Sequence, residues 1–281
     1  VPHHDPQRPP LGLLGGLDPT GGAGLLRDQW TARTIAPDLP LLPVISAWTR
    51  QGAGAPARAY PRPWSDVAAD LAPLAHAAAS APVVLKIGVI SGHHLGGLLE
   101  LLGARPAIAV VFDPVLWASD GGPLLAPASP GDSTENSALK EQLCRLAGRA
   151  ALLTPNRLEA AWLTGHAADD PGLFTALRRA LGGASFLLKD GHGSGPEVTD
   201  RLAIADSAPL QLTRPRLAGP DVRGTGCALA TAIAVHLARG RPLPEAVHLA
   251  ITWLDQARQR PRPGPGGRLH LPDPPLPPRH A

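Results

Sequence analysis

The sequence predicts an α/β fold in a single domain: a central, mostly parallel sheet with helices on both faces. Three observations carry this. Short apolar runs alternate with longer helical stretches, the pattern of strands joined by crossover helices. The chain has 281 residues, 44% of them hydrophobic, enough to fill one large α/β core. Glycine-rich or charged turns follow several of the apolar runs, and open α/β sheets bind ligands at those strand ends.

Taken in order, Leu11 to Gly16 reads as a buried strand and Gly24 to Thr34 as the helix after it. Pro43 to Trp48 is a second strand. Asp66 to Ala79 is an Ala/Leu-rich helix with Ser65 as N-cap, its hydroxyl placed to accept an orphan amide. Val83 to Val89 and Ala107 to Phe112 are strands flanking a helix near Leu95 to Leu102. Ser137 to Ala147 is helical, Ala151 to Leu153 a short strand and Arg157 to Leu163 a helix. Asp170-Pro171 opens a helix leading to Leu181, since proline suits a first turn. Ser185 to Leu188, Leu202 to Ala205 and Leu210 to Thr213 complete the strands. Two helices follow, about Gly226 to Ala238 and Pro244 to Ala257. The domain is expected to span 11–268, after a flexible N-terminus at 1–10 and before a Pro-rich tail at 269–281. Disorder is expected from Pro261 onward.

Composition narrows the function. The hydrophobic fraction excludes a disordered chain despite 34 Pro and 31 Gly. Charged residues are 17% and the net charge is +3, made of dispersed Arg with only three Lys (Lys86, Lys140 and Lys189). That is a modest excess rather than a nucleic-acid stripe, so no nucleic-acid partner is expected. No apolar run is long enough to span a bilayer, and residues 1–10 hold no apolar signal core, so no membrane partner is expected either. Two cysteines, Cys144 and Cys227, make no disulfide scaffold. A cytoplasmic enzyme is the expectation.

Four segments have residues suited to chemistry. Gly15 to Gly24 is a Gly-rich turn leading into a helix, where backbone amides can approach a ligand. It has neither the Lys-Ser/Thr of a Walker loop nor dinucleotide-binding spacing, and an ordinary turn is an even alternative. Arg223-Gly224-Thr225-Gly226-Cys227 opens an Ala-rich helix. Its amides make an anion site suited to a transferring phosphoryl group, and the helix N-terminus should lower the thiol pKa. The alternative is a buried, inert cysteine. Asn156 and Glu159 lie three apart at a strand-to-helix junction and can hold Mg²⁺ through waters, or simply form a capping box. Asp113 and Lys189 end two strands; Lys189 can neutralise phosphate and Asp113 can orient metal-bound water. The pairs His3-His4 and His93-His94 lack neighbours at ligand spacing, and Cys144 reads as core.

In this order the segments resemble the hydroxymethylpyrimidine/phosphomethylpyrimidine kinases of thiamine biosynthesis, members of the ribokinase-like superfamily. Gly16 to Gly24 with Asp28 is similar to that family's Gly-Ser-Asp-Pro-Ser-Gly-Gly-Ala-Gly signature, and Val44 to Gln51 to its Val-Ile-Thr-Ala-Leu-Thr-Ala-Gln segment. Lys86-Ile87-Gly88, Asp113-Pro114-Val115, Thr154-Pro155-Asn156 with Glu159, Lys189 and Gly224-Thr225-Gly226-Cys227 follow in the family's order. The resemblance implies a ribokinase-like fold and phosphorylation of 4-amino-5-hydroxymethyl-2-methylpyrimidine and of its monophosphate, with ATP and Mg²⁺. It implies that Gln51 reads the aminopyrimidine edge, that Gly16, Ala23 and Val115 line the pocket, and that Asp18 supports the loop. It further implies that Cys227 takes the hydroxymethyl proton while Gly224, Thr225 and Gly226 stabilise the developing charge. Lys189 and Mg²⁺, held through Asp113, Asn156 and Glu159, would neutralise the ATP phosphates. Many relatives are dimers, so a homodimer is a further implication.

The chain departs from the family in places. Arg223 stands four residues before the cysteine, where His is common; Arg can favour a thiolate electrostatically but cannot relay a proton. Gly52-Ala53 replaces Asn-Thr after the Gln, Ala228 replaces Thr, and Pro37 and Pro40 enter the connection before the second strand. Pyridoxal kinase, which accepts a similarly sized hydroxymethyl heteroaromatic, and a weakened ligand-binding paralogue are the rival functions.

Overall fold

Among the described residues nine strands hydrogen-bond into one sheet, and the expected βα alternation sets their order. The computed structural model describes residues 9–50, 57–118, 121–125, 134–191, 195–205 and 207–274. In chain order the elements are β1 Leu11–Leu17, α1 Gly24–Ile35, β2 Leu41–Arg50, β3 Arg58–Pro61, α2 Trp64–Ala77, β4 Val83–Ile87 and α3 Gly92–Ala104. Next come β5 Ile108–Phe112, α4 Thr134–Arg149, β6 Leu152–Leu153, α5 Arg157–Thr164, α6 Leu173–Ala180, β7 Phe186–Leu188, β8 Glu197–Ala203 and β9 Leu210–Pro215. The chain closes with β10 Val222–Arg223, α7 Thr225–Ala238, α8 Leu243–Arg258, β11 Arg262–Pro263 and β12 Leu269–His270.

The sheet order is β3-β2-β1-β4-β5-β6-β7-β8-β9. Strands β2, β1, β4, β5, β6 and β7 are parallel, while β3, β8 and β9 pair antiparallel at the two edges. From β1 the chain goes first to β2 on one side and then to β4 on the other, so the crevice beyond their C-terminal ends is the topological switch point. The mostly parallel sheet with helices on both faces is therefore as expected.

Alternation along the strands divides the core in two. Leu85, Ile87, Val110, Phe112 and Phe186 pack under α2 to α6, whereas Leu13, Val84, Val111 and Leu187 pack under α1, α7 and α8. Helix α7 is buried continuously from Ala228 to Val235, and five of those eight residues are Ala or Thr. Small side chains let it lie close against the sheet, which fixes its N-terminus beside the strand ends.

Three local expectations change. Ser65 lies inside α2 rather than at its N-cap, which is Pro63, so the helix begins two residues earlier than read. Helix α6 starts at Leu173 because Asp170 accepts the Gly172 amide (2.6 Å) in a local turn, delaying the first helical residue. The stretch from Pro261 is packed rather than disordered as far as Asp273. There, β12 pairs with β10 and β11, Leu271 is buried, and Arg27 donates to the carbonyls of Pro272 (3.0 Å) and Gly21 (3.1 Å). Strand β12 and the residues just after it thus lie against the Gly-rich turn.

Candidate active site

The parallel strands bring the predicted segments to one end of the sheet. Asp18, directly after β1, is fully buried and organises the Gly-rich turn. Its carboxylate accepts the Thr20 amide (3.0 Å), the Thr20 hydroxyl (2.9 Å) and the Ala23 amide (3.2 Å). It also accepts from Arg223 Nη2 at 3.0 Å, which ties the turn to the entry of α7. Arg223 is therefore engaged with Asp18 and joins the two loops. Gly16 lies at the end of β1 and Ala23 is the residue before α1.

Helix α7 opens on Gly224 in the left-handed region (φ 80), with no side-chain cap. A Cβ there would stand 2.1 Å from the Gly22 carbonyl oxygen, so the two loops also approach closely through backbone. The first residues of α7, Thr225, Gly226 and Cys227, thus present a helix N-terminus that no side chain closes. A Cβ at Gly226 would stand 3.4 Å from Lys189 Nζ and 3.9 Å from Asp113 Oδ2, so the helix start, the lysine and the carboxylate adjoin.

Lys189, after β7, donates to Asp113 Oδ1 at 2.8 Å, and the same oxygen accepts the Thr154 hydroxyl at 3.0 Å. Burial opposes charge on both partners, but their attraction outweighs it. Asp113 is held below the usual carboxylate range by Lys189 and Lys86, and Lys189 above the usual lysine range by Asp113 and Glu159. Both groups are charged at neutral pH.

Asn156 and Glu159 form a reciprocal capping box on α5. Asn156 Oδ1 accepts the Glu159 amide (2.9 Å), and Glu159 Oε2 accepts the Asn156 amide (2.8 Å). Glu159 also accepts the Leu116 amide, which binds α5 to the turn after β5. Burial pushes its carboxyl up to about 7, against the pull of Lys189. In the unfolded chain it ionises near 4.5, so between these values the folded state binds more protons and stability falls as pH rises. This contribution is on the order of 3 kcal/mol across that window. Urea unfolding at pH 5 and pH 7.5 should show it in the wild type and not in Glu159→Gln; equal pH dependence in both would refute it.

Cys227 is a free, partly buried thiol whose Sγ accepts the Gly24 amide at the start of α1. Its pKa is the reverse of the lowered value expected from the helix N-terminus. Burial against α1 pushes the thiol up to about 11, with Lys86 pulling the other way.

The structure brings Asp113, Lys189, Glu159, Gly226 and Cys227 to the same end of the sheet. Val115 lies in the turn after β5, partly buried, with its amide on the Asp113 carbonyl (2.9 Å). Gln51, with Gly52 and Ala53, lies outside the described residues. Among the described residues no three His, Cys, Asp or Glu side chains are grouped to hold a metal ion directly. Two hard carboxylates around one lysine nevertheless suit Mg²⁺, which keeps most of its water. Sequence reasoning missed the Arg223–Asp18 link and a buried Lys86–Asp28 pair; the signal for the latter is a lysine inside an apolar strand.

The sequence profile described as phosphomethylpyrimidine kinase matches residues 18–270. A hydroxymethylpyrimidine/phosphomethylpyrimidine kinase of Streptomyces coelicolor is 35% identical over 265 residues, covering 90% of each chain. The crystal structure of a phosphomethylpyrimidine kinase from Clostridium difficile aligns with a TM-score of 0.69 at 25% identity, over 89% of this chain and 99% of that one. Pyridoxal kinase from Bacillus subtilis, solved as an ADP complex, aligns with a TM-score of 0.77 at 18% identity, over 94% and 96%. At that identity the likeness is one of fold, and it agrees with the architecture that the resemblance implied.

Proposed function

The chain belongs to the phosphomethylpyrimidine kinase family, and we propose that it phosphorylates 4-amino-5-hydroxymethyl-2-methylpyrimidine with ATP, then the resulting monophosphate, in thiamine biosynthesis. The observation that carries this reading is the uncapped start of α7, with Cys227 in its first turn and the Lys189–Asp113 pair beside Gly226.

In this reading the acceptor lies between the Gly16 to Ala23 turn and Val115, with Gln51 hydrogen-bonding the aminopyrimidine edge; an amide matches both a ring-nitrogen acceptor and an amino donor. The thiolate of Cys227 takes the hydroxyl proton as that oxygen attacks the γ-phosphorus and ADP leaves. Amides of Thr225, Gly226 and Cys227, with Gly224 setting the turn, meet the charge that develops on the transferring group. Lys189 neutralises phosphate oxygens. Mg²⁺, when bound through waters by Asp113, Asn156 and Glu159, supplies further charge neutralisation there. The catalytic unit in this reading begins at residue 11 and works in the cytoplasm. No helix among the described residues is long and apolar enough to cross a membrane.

The test is ADP release by purified protein with ATP and Mg²⁺, offering the hydroxymethylpyrimidine, its monophosphate and pyridoxal separately. Turnover on both pyrimidines is expected, and Gln51→Ala should reduce it far more than any turnover on pyridoxal. Turnover on pyridoxal alone would overturn the assignment, and binding of the pyrimidine without ATP consumption would make the chain a ligand-binding paralogue.

A further inference from the structure

Strand β4 is apolar on both faces except at Lys86. Val83, Leu85 and Ile87 face the α2–α6 side and Val84 the α1, α7 and α8 side. A two-residue period puts Lys86 on that second, apolar face, where it is fully buried. Lys86 Nζ donates to Asp28 Oδ2 at 2.7 Å, and Asp28 Oδ1 accepts the Thr231 hydroxyl at 2.8 Å. Asp28 is fully buried as well.

The positions of these partners are informative. Asp28 lies four residues after Gly24 on α1, and Thr231 lies four residues after Cys227 on α7. Residues four apart stack on one helix face, so the Thr231–Asp28 bond is one turn along from the Gly24 amide to Cys227 Sγ bond. The two helices are joined by two rungs, one carrying the thiol and the next carrying the ion pair. A buried ion pair is a weak device for stability, because desolvation consumes most of its attraction. Its place behind the reactive thiol gives it another use.

We propose that Lys86 is a positioning residue for Cys227. The Lys86–Asp28 pair and Thr231 hold the thiol in register with Gly24, and Lys86 provides a fixed positive charge that favours the thiolate. This rests on the reading of Cys227 as acceptor of the substrate's proton. The charged groups acting on the thiol are Lys86 from β4, Asp28 and Arg27 from α1, Asp113 after β5 and Lys189 after β7. Among these charges, Lys86 has the largest effect.

The test uses the full chain carrying Cys144→Ser, so that iodoacetamide reports on Cys227 alone, and follows alkylation rate against pH without ATP or acceptor. Lys86→Met should move the midpoint up by about one unit, the scale of one nearby opposite charge. Asp28→Asn should move it down, because the ammonium remains while its competing carboxylate is gone. A merely structural pair would shift both variants alike or not at all, and either result overturns the proposal. If Lys86→Met does not fold, Asp28→Asn decides: a downward shift is expected, and a rise or no change refutes. Thr231→Val should lower kcat several-fold at unchanged KM for ATP, with Thr231→Ser restoring it; unchanged kcat would remove Thr231 from the device. Because alkylation needs no substrate, opposite shifts in a chain that phosphorylates neither pyrimidine would refute the assigned reaction and leave the positioning intact.

Discussion

Cys227→Ala is expected to lower kcat by about 10²–10⁴-fold, the range a positioned proton acceptor supplies. KM for ATP should stay within about threefold, because the phosphate contacts of this reading come from the amides of α7 and from Lys189. Alanine suits an Ala-rich helix, and the substitution removes one bond, from the Gly24 amide to Sγ. Thermal unfolding should therefore be nearly unchanged, which separates a chemical defect from a folding one. The pH profile gives a second readout. With the thiol near 11, the thiolate fraction rises about tenfold per pH unit through neutrality, so wild-type kcat/KM should climb with pH between about 6 and 9. The alanine variant should be flat over the same range. Retention of a tenth or more of wild-type kcat would remove Cys227 from the proton transfer.

Gly224→Ala is the second large effect, and it acts through backbone. At φ 80 an alanine pays the left-handed penalty of about 1–2 kcal/mol. The larger cost is steric, since the added Cβ would stand 2.1 Å from the Gly22 carbonyl oxygen, a backbone atom, so one of the two segments must shift. Either α7 shifts outward or the Gly-rich turn opens, and both movements spoil the adjacency of Gly226, Lys189 and Asp113. A stability loss of about 3 kcal/mol or more is expected, with activity reduced beyond what the unfolded fraction explains. Chemical denaturation with parallel kinetics checks it. A variant that keeps wild-type stability and turnover would show that the two loops do not need this contact.

Much of this arrangement is legible in the sequence, and what is not has identifiable causes. The parallel core could be read because β1 and β5 are continuous apolar runs, and β4 is one but for Lys86, each followed by glycine or charge, as strands buried on both faces are. The edges were less legible. β3 is four residues, three of them exposed, and carries no apolar signal, while β10, β11 and β12 are two residues each and exist through pairing with one another. Asn156 and Glu159 illustrate how a bland and a sharp reading coexist: the capping box forms, and Glu159 nonetheless comes within reach of the charges on Lys189 and Asp113. The thiol shows the limit most clearly. Sequence reveals that Cys227 opens a helix, which alone would lower its pKa, but not that α1 covers it and raises the pKa instead. Arg223 is similar, since its partner Asp18 is far away in the chain and reaches it only through the fold.

The most direct test of the central claim is the identity of the product. Phosphorus NMR of the protein with ATP, Mg²⁺ and 4-amino-5-hydroxymethyl-2-methylpyrimidine should show a phosphomonoester appearing first and a diphosphate ester growing at its expense, each at the cost of ATP. ATP consumed only to free phosphate, or a phosphoester formed with pyridoxal and with neither pyrimidine, would contradict the account.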